Sequence, residues 1–77
     1  MEITKFIDLL AEQFEETDRS LLTPATEFKQ LKEWSSLIAL SVIALADEEY
    51  DVALKGDDIR NAVTIEDLFN IIKNKIE

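Results

Sequence analysis

Apolar residues recur along the opening segment at Ile3, Phe6, Ile7, Leu10 and Phe14, a spacing of i, i+3, i+4, i+7 and i+11. Such a spacing lays one apolar stripe along a helix and predicts an amphipathic helix over roughly residues 2–16. The closing segment repeats it with Ile65, Leu68, Phe69, Ile72 and Ile76. Thr64 is a natural N-cap for this last helix, and Glu66 and Asp67 put negative charge at the positive end of its dipole. Between Thr17 and Ser35 the periodicity fails. Ser20, Thr23, Pro24 and Thr26 interrupt it, while Leu21, Leu22, Phe28 and Leu31 read as anchors that pin a long loop onto the core. A structureless connection of this length is unusual in a small domain and is often functional. Lys55 and Gly56 mark a later break, and the segment DDIRNA has room for one or two helical turns before Thr64. The run YDVAL is too short for a strand and has no partner. The expected fold class is all-α: a small four-helix bundle of three main helices and one short third helix, with a long loop between the first two.

The second helix opens at two serines and continues as an apolar run from Leu37 to Ala46, broken only by Ser41. Ser35 fits the N-cap, since its hydroxyl can accept a hydrogen bond from a free amide of the first turn. Ser36 then takes the first helical position and points outward. The dipole and the unpaired N–H groups at that end favour an anion such as a phosphate diester. On a wheel of about 100° per residue, Ala39, Val42, Ile43, Ala46 and Tyr50 cluster on one side as core. Leu37, Ser41, Ala44 and Glu48 form the opposite stripe, and Ile38 lies between. A stripe opposite the core should be polar, yet this one carries Leu37 and Ala44. Either the helix is covered on most sides, or the stripe is a docking face set among Asp47, Glu48, Glu49 and Asp51, joined by Asp57 and Asp58. Across the chain, Phe6, Leu10, Val42, Ile43, Leu68 and Ile72 are the expected core.

Composition narrows the chemistry. A chain of 77 residues is one small domain that buries about 60% of its unfolded surface. It has no cysteine, so disulfides and thiolate metal sites are excluded and helix packing must hold the fold. Seventeen acids against eight bases give a net charge of −9. That surface repels nucleic acid and anionic membranes and favours basic partners, although solubility alone accounts for it as well. No basic segment followed by an apolar core opens the chain, and the longest apolar run falls far short of the ~20 residues of a membrane span. The expectation is a cytoplasmic monomer with no membrane insertion.

Catalysis and metal binding find little support. Without histidine or cysteine, Ser35 and Ser36 have no ordinary base to activate them. Lys29 and Lys32 lie in a polar loop, so a buried lysine base is not expected either, and the chain does not read as an enzyme. A calcium loop counted from Asp47 would need glycine at its sixth position, where Val52 stands. The acids therefore read as a solvated face.

The segment from Ser36 onward resembles the acyl carrier proteins and the related peptidyl carrier domains. Ser35-Ser36-Leu37 is similar to that family's D-S-L motif. IALSVIALADEEYDVAL looks like its second helix with an acidic end and an aromatic residue, and DDIRNAVTIEDLFNIIK like its short third helix, threonine cap and fourth helix. About the last fifty residues match without a gap, whereas the first helix agrees in pattern alone. The resemblance implies a single acyl-carrier-type domain over residues 1–77. It implies that Ser36, the serine followed by Leu37, is esterified with phosphopantetheine from coenzyme A by a phosphopantetheinyl transferase. The arm's thiol would then hold an acyl or aminoacyl group as a thioester for a fatty-acid, polyketide or other biosynthetic pathway. It also implies that Leu37, Ser41, Ala44, Asp47 and Glu48 face acyl-loading and acyl-transferring enzymes with basic docking surfaces.

The chain departs from the family pattern in several places. Ser35 replaces the usual aspartate, which keeps the cap but removes one charge at the transferase contact. Trp34 stands where a glycine is often found nearby. Ile38 and Ser41 replace frequent acids, which makes the recognition face more apolar and points to a dedicated pathway. A different class of function remains beside this one: an unmodified helical adaptor that keeps the carrier fold and binds a basic partner through its acidic face.

Overall fold

In a computed structural model, which describes residues 2–76, the chain is all-helical. Helices α1 (Ile3–Ala11), α2 (Ser36–Tyr50), α3 (Gly56–Asn61) and α4 (Ile65–Ile76) are joined by irregular segments, and no strand occurs among the described residues. One core draws on every element. Phe6, Leu10, Leu22, Phe28, Val42, Ala46, Ala62, Ile65, Leu68 and Ile72 are its most deeply buried members. Helix α4 packs against each of the other three, and α1 also touches α2. Of the six residues expected in the core, five are fully buried; Ile43 is only partly so.

Helix α1 is shorter than its apolar stripe. The expected end near residue 16 is corrected to Ala11. Past Ala11 the amides of Glu12, Gln13 and Phe14 turn to carbonyls three residues back, Leu9, Leu10 and Ala11, at 3.0–3.2 Å. Phe14, the last member of the stripe, is buried in the core all the same. The next three amides then leave the chain's own carbonyls for the Glu33 carboxylate. A charged acceptor 16–18 residues ahead competes with the helix, and periodicity cannot register it.

The long connection is not structureless. It contains two short 3-10 turns, Arg19–Leu21 and Phe28–Gln30. Leu22 and Phe28 anchor it as expected and Leu31 is half-buried, but Leu21 is 58% exposed and anchors nothing. Its backbone serves α4 directly. The Ile65 amide donates to the Thr26 carbonyl at 3.0 Å and the Glu66 amide to the Pro24 carbonyl at 2.9 Å, which satisfies two of the free N–H groups at the start of a helix. Thr64 caps as expected: its hydroxyl accepts from the Asp67 amide, while the Asp67 carboxylate accepts from the amides of Thr64 and Val63, each at 3.1 Å. These two donations hold the Asp67 pKa below its ordinary value, the Thr64 amide contributing most.

Candidate functional site

The two serines take separate positions. Ser35 has an extended backbone, and its hydroxyl accepts from the Ile38 amide at 3.3 Å. It is the N-cap. Ser36 is the first residue of α2, is exposed, and its hydroxyl makes no hydrogen bond among the described residues. No acid lies in the first turn of α2 itself, so the positive helix end, which favours an anion, is not neutralised within the helix, although the Glu15 and Glu33 carboxylates line the cleft beside it. The position has what esterification by a phosphopantetheine group requires: an open hydroxyl, room around it and a positive helix end.

The face that runs down from Ser36 is exposed and mixed in character. Leu37 is 72% exposed, Ala44, Asp47 and Glu48 are exposed, and Ser41 and Ile38 are half-buried. The Ser41 hydroxyl donates back to the Leu37 carbonyl at 3.2 Å. Of the two readings open at the sequence level, full coverage of the helix does not hold, since this side is bare. Leu40 also belongs to it, at 62% exposed. Leu37, Leu40, Ala44 and Asp47 follow i, i+3, i+7 and i+10, so the missing member was present in the spacing. The wheel misplaced the buried side because the run is apolar nearly all round. Val42, Leu45 and Ala46 are buried, while Ala39, Ile43 and Tyr50 are only partly covered. The buried arc is therefore turned toward Leu45 by about 60°.

The two residues before the Ser35 cap are held against the rest of the fold. Trp34 is half-buried, and its ring meets the buried Phe28 ring edge-on, with centroids 5.0 Å apart. The Glu33 carboxylate accepts from the amides of Glu15 (2.6 Å), Glu16 (3.0 Å) and Thr17 (2.9 Å) and from the Thr17 hydroxyl (2.8 Å). Partial burial pushes its pKa up, but these donations, led by that of the Glu15 amide, outweigh it and hold it below the usual glutamate value. Neither Glu33 nor Leu40 was singled out from the sequence. A shallow cleft of about 340 Å³ opens beside the serines between Gln13, Glu33, Ser35, Leu37, Ile38 and Ser41. A second, of about 290 Å³, runs between α1 and α2 past Leu9, Ala44, Leu45 and Glu48.

At its far end α2 closes on Asp51, which adopts a left-handed backbone, φ 54° and ψ 42°. Tyr50, beside it, has a buried hydroxyl with no protein partner; burial first, and the Glu49 charge second, push its pKa up. No three carboxylates among the described residues converge closely enough to hold a metal ion, and no helix there is long and apolar enough to cross a membrane. Comparison with known protein families, characterised proteins and solved structures finds no match.

Proposed function

We propose that this chain is an acyl-carrier-type protein, a small cytoplasmic four-helix bundle that bears a phosphopantetheine group on the Ser36 hydroxyl. The observation that supports this reading most is the state of Ser36 itself: exposed, unpaired, first in α2 and presented by a capped neighbour. When bound, the group supplies a terminal thiol that holds an acyl or aminoacyl unit as a thioester. The protein's own residues do the rest. Ser35 ties off the first turn so that the Ser36 hydroxyl is left outward. The α2 N-terminus stabilises the phosphate diester. Leu37 and Leu40 give the transferase and the acyl-transferring enzymes an apolar foothold, and Asp47 and Glu48 face their basic rims. No base is required on this chain, because the transferase activates the serine and the carrier only offers it.

The chain has no cysteine, which makes the test direct. Incubation with coenzyme A and a broad-specificity phosphopantetheinyl transferase should add one phosphopantetheine mass and create one titratable thiol in a protein that began with none. Ser36→Ala should abolish both. Ser35→Ala should still be modified, more slowly, with about 1 kcal/mol of stability lost with the cap. An unchanged mass under conditions that modify a control carrier defeats the proposal. Salt-sensitive binding of a basic partner that survives Ser36→Ala would instead favour the adaptor reading.

A further inference from the structure

Three consecutive residues ahead of Ser36 are each held by a different device. Glu33 is held by four donated hydrogen bonds, Trp34 by its edge-on contact with Phe28, and Ser35 by the cap bond to Ile38. Ser36 comes next and is held by none. The first device is costly in its setting. Glu33 is seated on the bend of residues 15–17 that follows α1, and it shares a cleft with Glu15, a like charge. Only the run of N–H groups from Glu15 to Thr17 makes the place tolerable for a carboxylate. A solvent-exposed glutamate would meet none of these constraints, so the contact has to be justified by what it joins. It joins the bend that follows α1 to the residues that enter α2.

We propose that Glu33 is a positioning residue for Ser36. Its carboxylate latches the segment entering α2 onto the bend of residues 15–17 that follows α1, and so fixes where the Ser36 hydroxyl and the exposed Leu37 stand relative to the rest of the docking face. This rests on the carrier reading for its functional half; the mechanical half stands on the hydrogen bonds alone. With the latch intact the partner enzyme meets a preset surface. With it broken, only the fraction of molecules that reach the same arrangement by chance can dock, and apparent affinity falls by that fraction.

The test uses the full chain in three variants. Glu33→Gln keeps size but removes the charge, leaves one acceptor oxygen and turns an amide donor against the three N–H groups. Thr17→Val removes only the hydroxyl donor. Glu16→Gln removes a neighbouring charge and keeps every latch donor. In the unmodified protein, Glu33→Gln should speed amide exchange about tenfold or more at Glu15, Glu16 and Thr17, and also at Ile38 and Ala39, whose acceptors are both on Ser35. Exchange in α4 should not change. With saturating coenzyme A, the transferase KM for the carrier should rise about tenfold at constant kcat, less for Thr17→Val and not at all for Glu16→Gln. Faster exchange confined to residues 15–17, or an unchanged KM, overturns the proposal: Glu33 would then serve only the local turn. If the unaltered protein takes no arm at all, the carrier reading falls, and exchange at Ile38 and Ala39 alone decides whether the latch reaches α2.

Discussion

Phe28 is the residue on which the long loop should stand or fall. Its side chain is fully buried, although it belongs to a three-residue turn in a connection with little other regular structure. A phenylalanine buries about 200 Å², and at about 25 cal/mol/Å² full exposure would forfeit about 5 kcal/mol as an upper bound. The edge-on contact with Trp34 adds about 1 kcal/mol beyond area. Truncation to alanine should therefore cost about 3–5 kcal/mol. At 0.05–0.15 kcal/mol per residue, a chain of 77 residues has only about 4–12 kcal/mol in total. Phe28→Ala should leave a protein near the edge of folding. Phe28→Leu, which keeps most of the volume and loses the aromatic contact, should cost about 1–2 kcal/mol. Urea unfolding followed by far-ultraviolet circular dichroism reads both. With a slope of about 1 kcal/mol/M, the leucine variant should shift the midpoint by about 1–2 M. Trp34, the only tryptophan, gives a second signal, since its emission should move to longer wavelength before global unfolding if the loop lifts first. A Phe28→Ala variant that loses less than about 1 kcal/mol at an unchanged slope would refute the reasoning, because the loop would then not be seated on the core.

Two further outcomes follow from the same structure. Asp51 holds a left-handed backbone at the C-terminus of α2, a conformation that glycine adopts without strain, and its charge opposes the dipole there; Asp51→Gly should raise stability by about 0.5–1 kcal/mol, measured as a higher urea midpoint, and a lower one would contradict the account. The carboxylates of Glu33, Asp58 and Asp67 are all held below their ordinary values, Asp58 chiefly by the Lys55 amide and then by Lys75. A depressed folded value means the contribution is present above the unfolded values of 4.5 and 3.8 and is lost as pH falls through the folded ones. An acid titration of helix content should show stability falling as pH drops below those values, and Glu33→Gln should weaken that dependence; an undiminished dependence in this variant would exclude Glu33 as one of its sources.

The helices were legible because each is governed by contacts within a turn or two. The stripe of α4, its Thr64 cap and the acids behind the cap all lie within a few residues of one another, and all appear as expected, except that Ile76 ends the stripe half-exposed. What was not legible depends on residues far apart in the chain. Helix α1 gives way after Ala11 to bonds three residues back, and the amides of Glu15, Glu16 and Thr17 then pair with Glu33, far along the chain, instead of continuing a helix. The loop is ordered because its carbonyls at Pro24 and Thr26 meet α4 and because the Lys29 ammonium donates to the Arg60 carbonyl at 2.8 Å. A polar loop sequence is compatible with many such partners, and only the assembled core selects one set. The candidate site divides the same way. Ser35 as cap and Ser36 as first helical residue follow from capping chemistry, and the family resemblance singles out Ser36 for attachment; Leu40 is present in the spacing of the exposed stripe, whereas Glu33 needs the entry to α2 to be known.

Charge placement separates α2 from its neighbours. Helix α3 begins with Asp57 and Asp58 and has Arg60 in its last turn; α4 begins with Glu66 and Asp67 and ends with Lys73 and Lys75. Both follow the dipole, acids first and bases last. Helix α2 reverses the rule. No acid lies in its first turn, no base in its last, and Asp47, Glu48, Glu49 and Asp51 crowd its negative end without an ion-pair partner among the described residues. Repulsion among these acids and with the dipole opposes folding and brings no packing in return, and Leu37 and Leu40 likewise lie in water on the same helix. Residues that break local rules with no structural gain are expected at functional surfaces. The bare first turn favours a bound anion at Ser36, and the acids beyond it favour a basic partner. Both features lie on the one helix whose stability they reduce, which is why the carrier reading centres on α2.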